Sequence, residues 1–329
     1  MNAAMNVPYC ITPDVDLAQY NWFGVGGRAR YFAVPRNKEE FQSVILFSNA
    51  INLPVKLIGL GANILIADEG FNGIIIKLPD DTLKYEYKDE KEGFLTLGGG
   101  VSLEKAISYA LNEAFLFGLE EFSGIPSSIG GSVFINLHYY EFLIERFVHS
   151  ALIYDSQTNT IITADREWFE FGYDISKIKK EARYIVLQVT FLLKRGDALE
   201  SAFAKGRRIE IIRHREKRYP YQRTCGCFFK NFSKDDILFE IEGKKITAAS
   251  YYLDRAGARE NVRINNCFVS SQHANMITHD GQGNATDIIA LARMMQKMVY
   301  QKFELLLEPE CELIGFPSYP LYTKETITK

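Results

Sequence analysis

Val55-Lys-Leu-Ile58 runs directly into Gly59-Leu-Gly-Ala-Asn63, and Ile64-Leu-Ile66 follows at once. A short apolar run, a glycine turn and a second apolar run predict strand, tight loop and strand. In such a loop the backbone N–H groups can come close to a phosphate, because a side chain at either glycine would block the approach. The loop is not a Rossmann fingerprint: the third glycine is missing, and a strand follows where a helix is required. Gly-x-Gly turns also occur without any ligand, so both readings stand at this level.

Working outward, Gly24, Gly26 and Gly27 make a turn ahead of a strand over Arg30–Val34. Asn37 with Glu40 three residues on is a capping-box pattern, and Phe41, Val44, Ile45 and Ala50 recur near helical spacing behind it. Ile74–Leu78 reads as another strand, so the opening section is a small α/β unit. Beyond it, Phe94–Leu97 ends in Gly98-Gly-Gly100, a plain bend on sequence grounds. Ser102 caps a helix carrying Leu103, Ala106, Ile107, Ala110, Leu111 and Ala114. Ser123-Gly-Ile-Pro-Ser-Ser-Ile-Gly-Gly-Ser132 is a second surface without bulky side chains. Two such loops in one α/β region favour a dinucleotide with a pyrophosphate. Strands over Phe147–Tyr154, Thr160–Ala164 and Tyr184–Leu193 precede a charged helix from Asp197 to about Arg215. A helix over Ala248–Ala256 and a final one capped by Thr286 complete the chain, the latter striped by Ile288, Leu291, Ala292, Met295, Met298 and Val299.

The totals narrow the class. At 329 residues, with 47% hydrophobic and 24% charged residues, the chain has material for a core and about two domains. A net charge of −3 speaks against a nucleic-acid surface. Five scattered cysteines are an odd number and no disulfide framework, which favours a reducing compartment. No basic-then-apolar leader and no run of about 18 apolar residues is seen, so a cytoplasmic protein without membrane insertion is expected.

The stretch richest in chemistry is Arg223-Thr-Cys-Gly-Cys-Phe-Phe-Lys-Asn231. It reads either as a thiol on a tight turn beside an anion-binding corner, or as a strand over Cys227–Phe229 tucked under a neighbour. Cys225-x-Cys227 has no second Cys/His pair at ligand spacing, so no metal is expected. Lys217 and Lys230 are cations for a phosphorylated substrate or plain surface lysines. Glu310 lies in the apolar context of Leu307-Glu-Pro-Glu310, where burial would raise its pKa and suit it to acid–base work; a solvated edge-strand glutamate is the alternative. Asp68 and Glu69 are read as turn residues, and His273 as either catalytic or a hydrogen-bonded structural histidine.

Taken together, these stretches resemble one family, the UDP-N-acetylenolpyruvoylglucosamine reductases. The resemblance rests on Asn21-Trp-Phe-Gly-Val-Gly-Gly27, Gly59-Leu-Gly-Ala-Asn63 with Asp68-Glu-Gly-Phe-Asn-Gly73, and Gly118-Leu-Glu through Ser123-Gly-Ile-Pro to Gly130-Gly131. It continues in Cys227-Phe-Phe-Lys-Asn231, Ser271-Gln-His-Ala-Asn275 and Leu307-Glu-Pro-Glu310, so it covers nearly the whole chain, and the last section has no long insertion.

The resemblance implies an α+β fold: a bipartite FAD-binding region of the vanillyl-alcohol-oxidase-like, PCMH-type kind over 1–205 (about 1–79 and 80–205), and a smaller α/β substrate domain over 206–329. It implies non-covalent FAD, held by Gly59, Gly61, Ala62, Asn63 and Ile64 and by Ser123, Gly124, Ile125, Pro126, Gly130 and Gly131. NADPH is the implied co-substrate and UDP-N-acetylglucosamine enolpyruvate the acceptor, reduced to UDP-N-acetylmuramate for peptidoglycan precursor synthesis. Lys217, Lys230 and Asn231 match positions implied to hold the UDP part. Cys227 stands where the family has a serine proton donor, and Glu310 matches its catalytic glutamate. Phe171-Gly-Tyr-Asp174 carries an aspartate where the family has an arginine, which would repel the substrate carboxylate unless a cation such as Arg183 or Lys177 substitutes.

Overall fold

The computed structural model describes residues 7–79, 81–220, 222–237, 240–259 and 262–327. Its contacts separate into two compact units, one of Met1–Pro13, Tyr31–Leu60 and Gly73–Arg215, the other of Asp14–Arg30, Gly61–Asn72 and Glu216–Lys329. The expected division at 205/206 falls inside a continuous helix, Ala198–Arg218.

The first unit is built on an antiparallel sheet in the order Thr160–Asp165, Val148–Asp155, Tyr184–Arg195, Glu92–Gly98, Leu83–Tyr87. Period-two alternation fixes its register. Ala164 faces Ala151, Ala151 faces Val189, Val189 faces Leu97, and Leu97 faces Leu83, which makes one apolar row across the sheet. On the other face Thr96 and Thr190 meet hydroxyl to hydroxyl at 3.0 Å. The helix Leu103–Tyr109, continued by a π-helical turn Ala110–Ala114, buries the apolar positions read from the sequence, and Ser102 caps it through the Lys105 N–H. In the same unit Val55–Ile58 runs parallel to Phe71–Lys77, with Val55 opposite Ile74 and Ile58 opposite Lys77. Ile74, Ile75 and Ile76 are all buried, as a strand covered on both faces requires. The helix Lys38–Ala50 starts at Asn37, whose side chain accepts from the Glu40 N–H, while the Glu40 carboxylate accepts from the Arg36 N–H.

The second unit packs around the helix Ala285–Phe303. Its N-cap is Asn284, one position outside the helix and two before the expected Thr286. Asp68 completes that terminus: its carboxylate accepts from the N–H groups of Ala285 and Thr286 and from the Thr286 hydroxyl, at 2.8, 2.8 and 2.7 Å. A residue read as turn chemistry is thus a cap supplied from more than two hundred positions upstream in sequence, where carboxylate charge meets unsatisfied amides. A three-stranded antiparallel sheet (Arg263–Ile264, Cys267–Val269, Ile277–His279) packs with this helix, and Glu312–Ile314 runs parallel to Ile64–Ile66. The expected strand over Cys227–Phe229 is reduced to two isolated bridges, Cys227 with Met276 and Phe229 with Pro309. Among the described residues no helix is long and apolar enough to cross a membrane.

Candidate active site

In the second unit the chain around Cys227 lies against the chain around Glu310. The Glu310 N–H donates to the Phe228 carbonyl at 2.8 Å, and the Lys230 N–H donates to the Glu308 carbonyl at 2.9 Å. These two bonds align the segments antiparallel. Phe228 and Phe229 are wholly buried and anchor the turn, while Cys227 between them and Gly226 is partly exposed. On the other side, Asn275 closes the segment: its side chain accepts from the Phe229 N–H at 3.0 Å and donates to the Phe229 carbonyl at 2.7 Å. Asn63 joins the same place, its side-chain amide 3.5 Å from the Glu310 carbonyl and its own carbonyl accepting from the Glu312 N–H at 3.0 Å. Asn63, Cys227 and Glu310, far apart in sequence, are therefore neighbours. Glu310 itself is exposed, which decides for the solvated alternative over burial, while Leu307 of the same stretch is buried in the core.

Lys230 and Asn231 line an open cleft of about 390 Å³ with Phe232, Glu304, Glu308 and Lys324. The Lys230 ammonium lies 4.0 Å from the Glu308 carboxylate. The Asn231 side chain accepts from the Ala249 N–H at 3.1 Å, capping the helix Ala249–Arg255, whose own N-cap position is an alanine that cannot accept. Lys217 is exposed on the last turn of Ala198–Arg218 and does not line this cleft. His273 packs against Tyr219 with its Nδ1 buried and unpaired; burial, then Arg218 and Arg259, push its pKa down to about 4. It is a neutral imidazole at physiological pH.

The first unit brings its two glycine-rich loops together. A Cβ placed on Gly59 would sit 2.4 Å from the Ser128 hydroxyl, so only glycine allows this approach. Ser128 caps the short helix Ile129–Phe134 by accepting from the Gly131 N–H at 3.1 Å. The Gly98–Gly100 stretch, read as a plain bend, supports this turn: the Gly130 N–H donates to the Gly99 carbonyl at 2.9 Å, and the Ile129 N–H to the Val101 carbonyl at 2.8 Å. Ser123 is buried and donates to the Glu120 carbonyl, while Gly124, Ile125 and Pro126 remain partly open. Lys77, which sequence reasoning passed over, donates from its ammonium to the Gly59 carbonyl at 3.1 Å. Of the other expected cofactor residues, Ile64 is buried in the second unit's parallel strand pair, and Gly61 is pressed against Tyr20, where a Cβ would meet the carbonyl oxygen at 2.1 Å.

Among the described residues of this unit, no protein acceptor takes the N–H groups of Leu60, Ser127 or Ser128. Backbone donors left unclaimed beside side-chain-free turns fit a pyrophosphate. No group of three His, Cys, Asp or Glu among the described residues is placed to hold a metal.

Asp174 occupies a left-handed backbone position (φ 54°), its carboxylate 3.3 Å from His138 Nδ1. Both cations suggested as substitutes have other partners. Arg183 is engaged by Asp155 and Glu181, and Lys177 by Glu170 and the Trp168 ring. Its histidine partner carried no signal in the sequence.

Comparison with known proteins identifies the family. A family model for an FAD-binding domain matches residues 29–164, and one for the C-terminal domain of UDP-N-acetylenolpyruvoylglucosamine reductase matches residues 217–314. The chain is a flavin-dependent oxidoreductase of α+β fold. A UDP-N-acetylenolpyruvoylglucosamine reductase of Lachnoclostridium phytofermentans is 32% identical over 93% of each chain. Another, of Staphylococcus saprophyticus, is 30% identical over 92% of this chain and 91% of its own. The crystal structure of the Thermus caldophilus enzyme of that name superposes with a TM-score of 0.71 at 26% identity, covering 92% of this chain and 98% of that one. The chain belongs to the UDP-N-acetylenolpyruvoylglucosamine reductase family, FAD-dependent reductases of peptidoglycan precursor synthesis.

Proposed function

We propose that this chain reduces the enolpyruvyl ether of UDP-N-acetylglucosamine to the lactyl ether, UDP-N-acetylmuramate, with NADPH as the electron source. Bound FAD supplies the two-electron carrier between nicotinamide and substrate. Gly59, Gly61, Ala62, Asn63 and Ile64, with Ser123–Pro126, Gly130 and Gly131, are the residues we assign to holding it. The assignment is supported by the close approach of Gly59 to Ser128 and the unclaimed amides in both loops.

Reduction of the enol ether delivers hydride to the methylene carbon and leaves a proton to be added at the neighbouring carbon. Cys227 is the donor in this reading. A thiol with a reference pKa of about 8.5 is mostly protonated at neutral pH and is a far stronger acid than a serine hydroxyl. Glu310 assists from the adjoining segment, Lys230 and Asn231 hold the nucleotide from the cleft they line together, and Lys217, outside that cleft, is assigned to it on the family resemblance alone. The observation that carries the reading is the Glu310–Phe228 backbone bond, which keeps the carboxylate-bearing segment beside Cys227. The reaction belongs in the cytoplasm, where nucleotide sugars and NADPH are found, and serves cell-wall growth, cell shape and division.

Anaerobic stopped-flow at the flavin absorbance band tests this. NADPH bleaches the flavin, and the enolpyruvyl UDP-sugar then restores the absorbance with lactyl ether formed. Flavin that is bleached but never restored by this substrate defeats the reading. Asp174 favours a second reading, a nucleotide-sugar binder with impaired turnover, since it places a carboxylate, 3.3 Å from His138 Nδ1, where the family has an arginine; tight substrate binding without reoxidation is its signature. Fast oxygen consumption with an alcohol would instead mark a different flavin oxidase.

A further inference from the structure

Three of the five cysteines gather in the second unit. Cys225 and Cys311 are buried in one apolar cluster with Phe228, Phe229 and Leu307. Cys311 is a near neighbour of the Cys225 thiol and, after burial, helps to raise its pKa. Cys227, one glycine further on, is partly open to solvent. The Glu310–Phe228 and Lys230–Glu308 backbone bonds hold the two segments in this arrangement. Gly226 between the cysteines is left-handed (φ 79°), and nothing lies within 4 Å of where its Cβ would be, so the turn has room to deform. None of the three is joined in a disulfide.

We propose that Cys227, Cys225 and Cys311 form a thiol relay in which peroxide oxidation enters at Cys227 and is stored as a buried Cys225–Cys311 disulfide. First, the Cys227 sulfur attacks hydrogen peroxide, the O–O bond breaks, and sulfenic acid and one water result. Next, the Cys225 sulfur attacks the sulfenic sulfur, the S–O bond breaks, and a Cys225–Cys227 disulfide and a second water form. Finally, the Cys311 sulfur attacks Cys225, the bond to Cys227 breaks, and Cys227 leaves as a thiol with the proton that Cys311 gives up. Two thiols are oxidised and one peroxide is reduced to two waters. The order follows from access: only Cys227 of the three meets solvent. The final bond joins the two buried sulfurs of the cluster, away from the solvent that meets Cys227. The relay goes beyond the role of Cys227 as a proton donor and does not depend on it.

The test is stepwise addition of hydrogen peroxide to the FAD-loaded protein, quenching with an alkylating reagent and mapping of peptides by mass spectrometry. Wild type is expected to yield Cys225 linked to Cys311 with Cys227 alkylated. Cys311→Ala is expected to stop at the Cys225–Cys227 linkage, and Cys225→Ala to drive Cys227 to sulfinic acid at lower peroxide than wild type. Bound flavin reports folding of each variant, and the wild-type map stands without them. Sulfinic acid at Cys227 in wild type with no Cys225–Cys311 linkage overturns the proposal. So does a Cys225–Cys311 linkage that forms equally fast in Cys227→Ser.

Discussion

The N–H of Glu310 donates to the carbonyl of Phe228 at 2.8 Å, one residue from Cys227. The bond places two groups with different chemistry, an exposed carboxylate and a half-buried thiol, on adjoining segments whose apolar neighbours Phe228, Phe229 and Leu307 are fixed in the core. Rigid anchors beside open reactive side chains are what a proton-transfer site needs, since position is set by packing and access is left to substrate.

From this follows the first prediction. Cys227→Ala removes the proton donor, and turnover with the enolpyruvyl UDP-sugar falls by roughly 10²–10⁴-fold, the usual contribution of a general acid. Cys227→Ser, which keeps an O–H in place, retains far more. Bleaching of the flavin by NADPH is unchanged in both. Equal turnover in the alanine variant and wild type assigns the proton to another group.

The second concerns the cofactor loops. Gly59→Ala puts a methyl 2.4 Å from the Ser128 hydroxyl. Ser128 must then swing away and release the Gly131 N–H it holds at 3.1 Å, at a cost of about 1 kcal/mol as for other lost caps. The loop itself is displaced as well. The purified variant is expected to carry less flavin per chain by absorbance than Ser128→Ala, which loses only the cap. Equal flavin content in the two variants removes the close approach from the argument.

Both of these sites were partly legible in the sequence, and the reason is local. Gly59–Asn63 and Arg223–Asn231 announce themselves because glycine and clustered polar residues have few other uses at such density. Ser102 and Asn37 were readable as caps because a cap and its N–H partner are three residues apart. What stayed hidden acts across the chain. Lys77 reaches Gly59, His138 meets Asp174, and Asp68 caps a helix that begins at Ala285, and no local pattern encodes any of these. The exposure of Glu310 stayed undecided between two readings because hydrophobic neighbours in sequence do not fix the direction of a side chain in an irregular segment.

The third prediction takes the longest of those reaches. The Asp68 carboxylate accepts three hydrogen bonds at the start of Ala285–Phe303. Asp68→Ala leaves two backbone N–H groups unpaired and removes a negative charge from a helix N-terminus. A loss of about 1–3 kcal/mol is expected by urea denaturation. Asp68→Asn, which keeps an acceptor without the charge, is expected to lose less. A loss in the alanine variant no larger than in the asparagine one denies the acceptor that asparagine retains any role and leaves the charge as the cause.

The last prediction is a pH dependence set by His273. Its pKa is pushed from 6.5 to about 4 by burial and then by Arg218 and Arg259, so the folded chain holds it neutral while the unfolded chain protonates it near 6.5. Between those two values the unfolded state binds more protons, so stability falls as pH drops through this window and is unaffected by this group above it. The integrated effect is on the order of 2 kcal/mol, after allowance for the ring's partial exposure. His273→Gln keeps a polar side chain that does not titrate. Urea midpoints of the two proteins at pH 7.5 and 4.5 are the measurement. The stability gap between them is expected to shift toward the variant at the lower pH. A gap that stays constant means that His273 takes up its proton as readily in the folded chain as in the unfolded one.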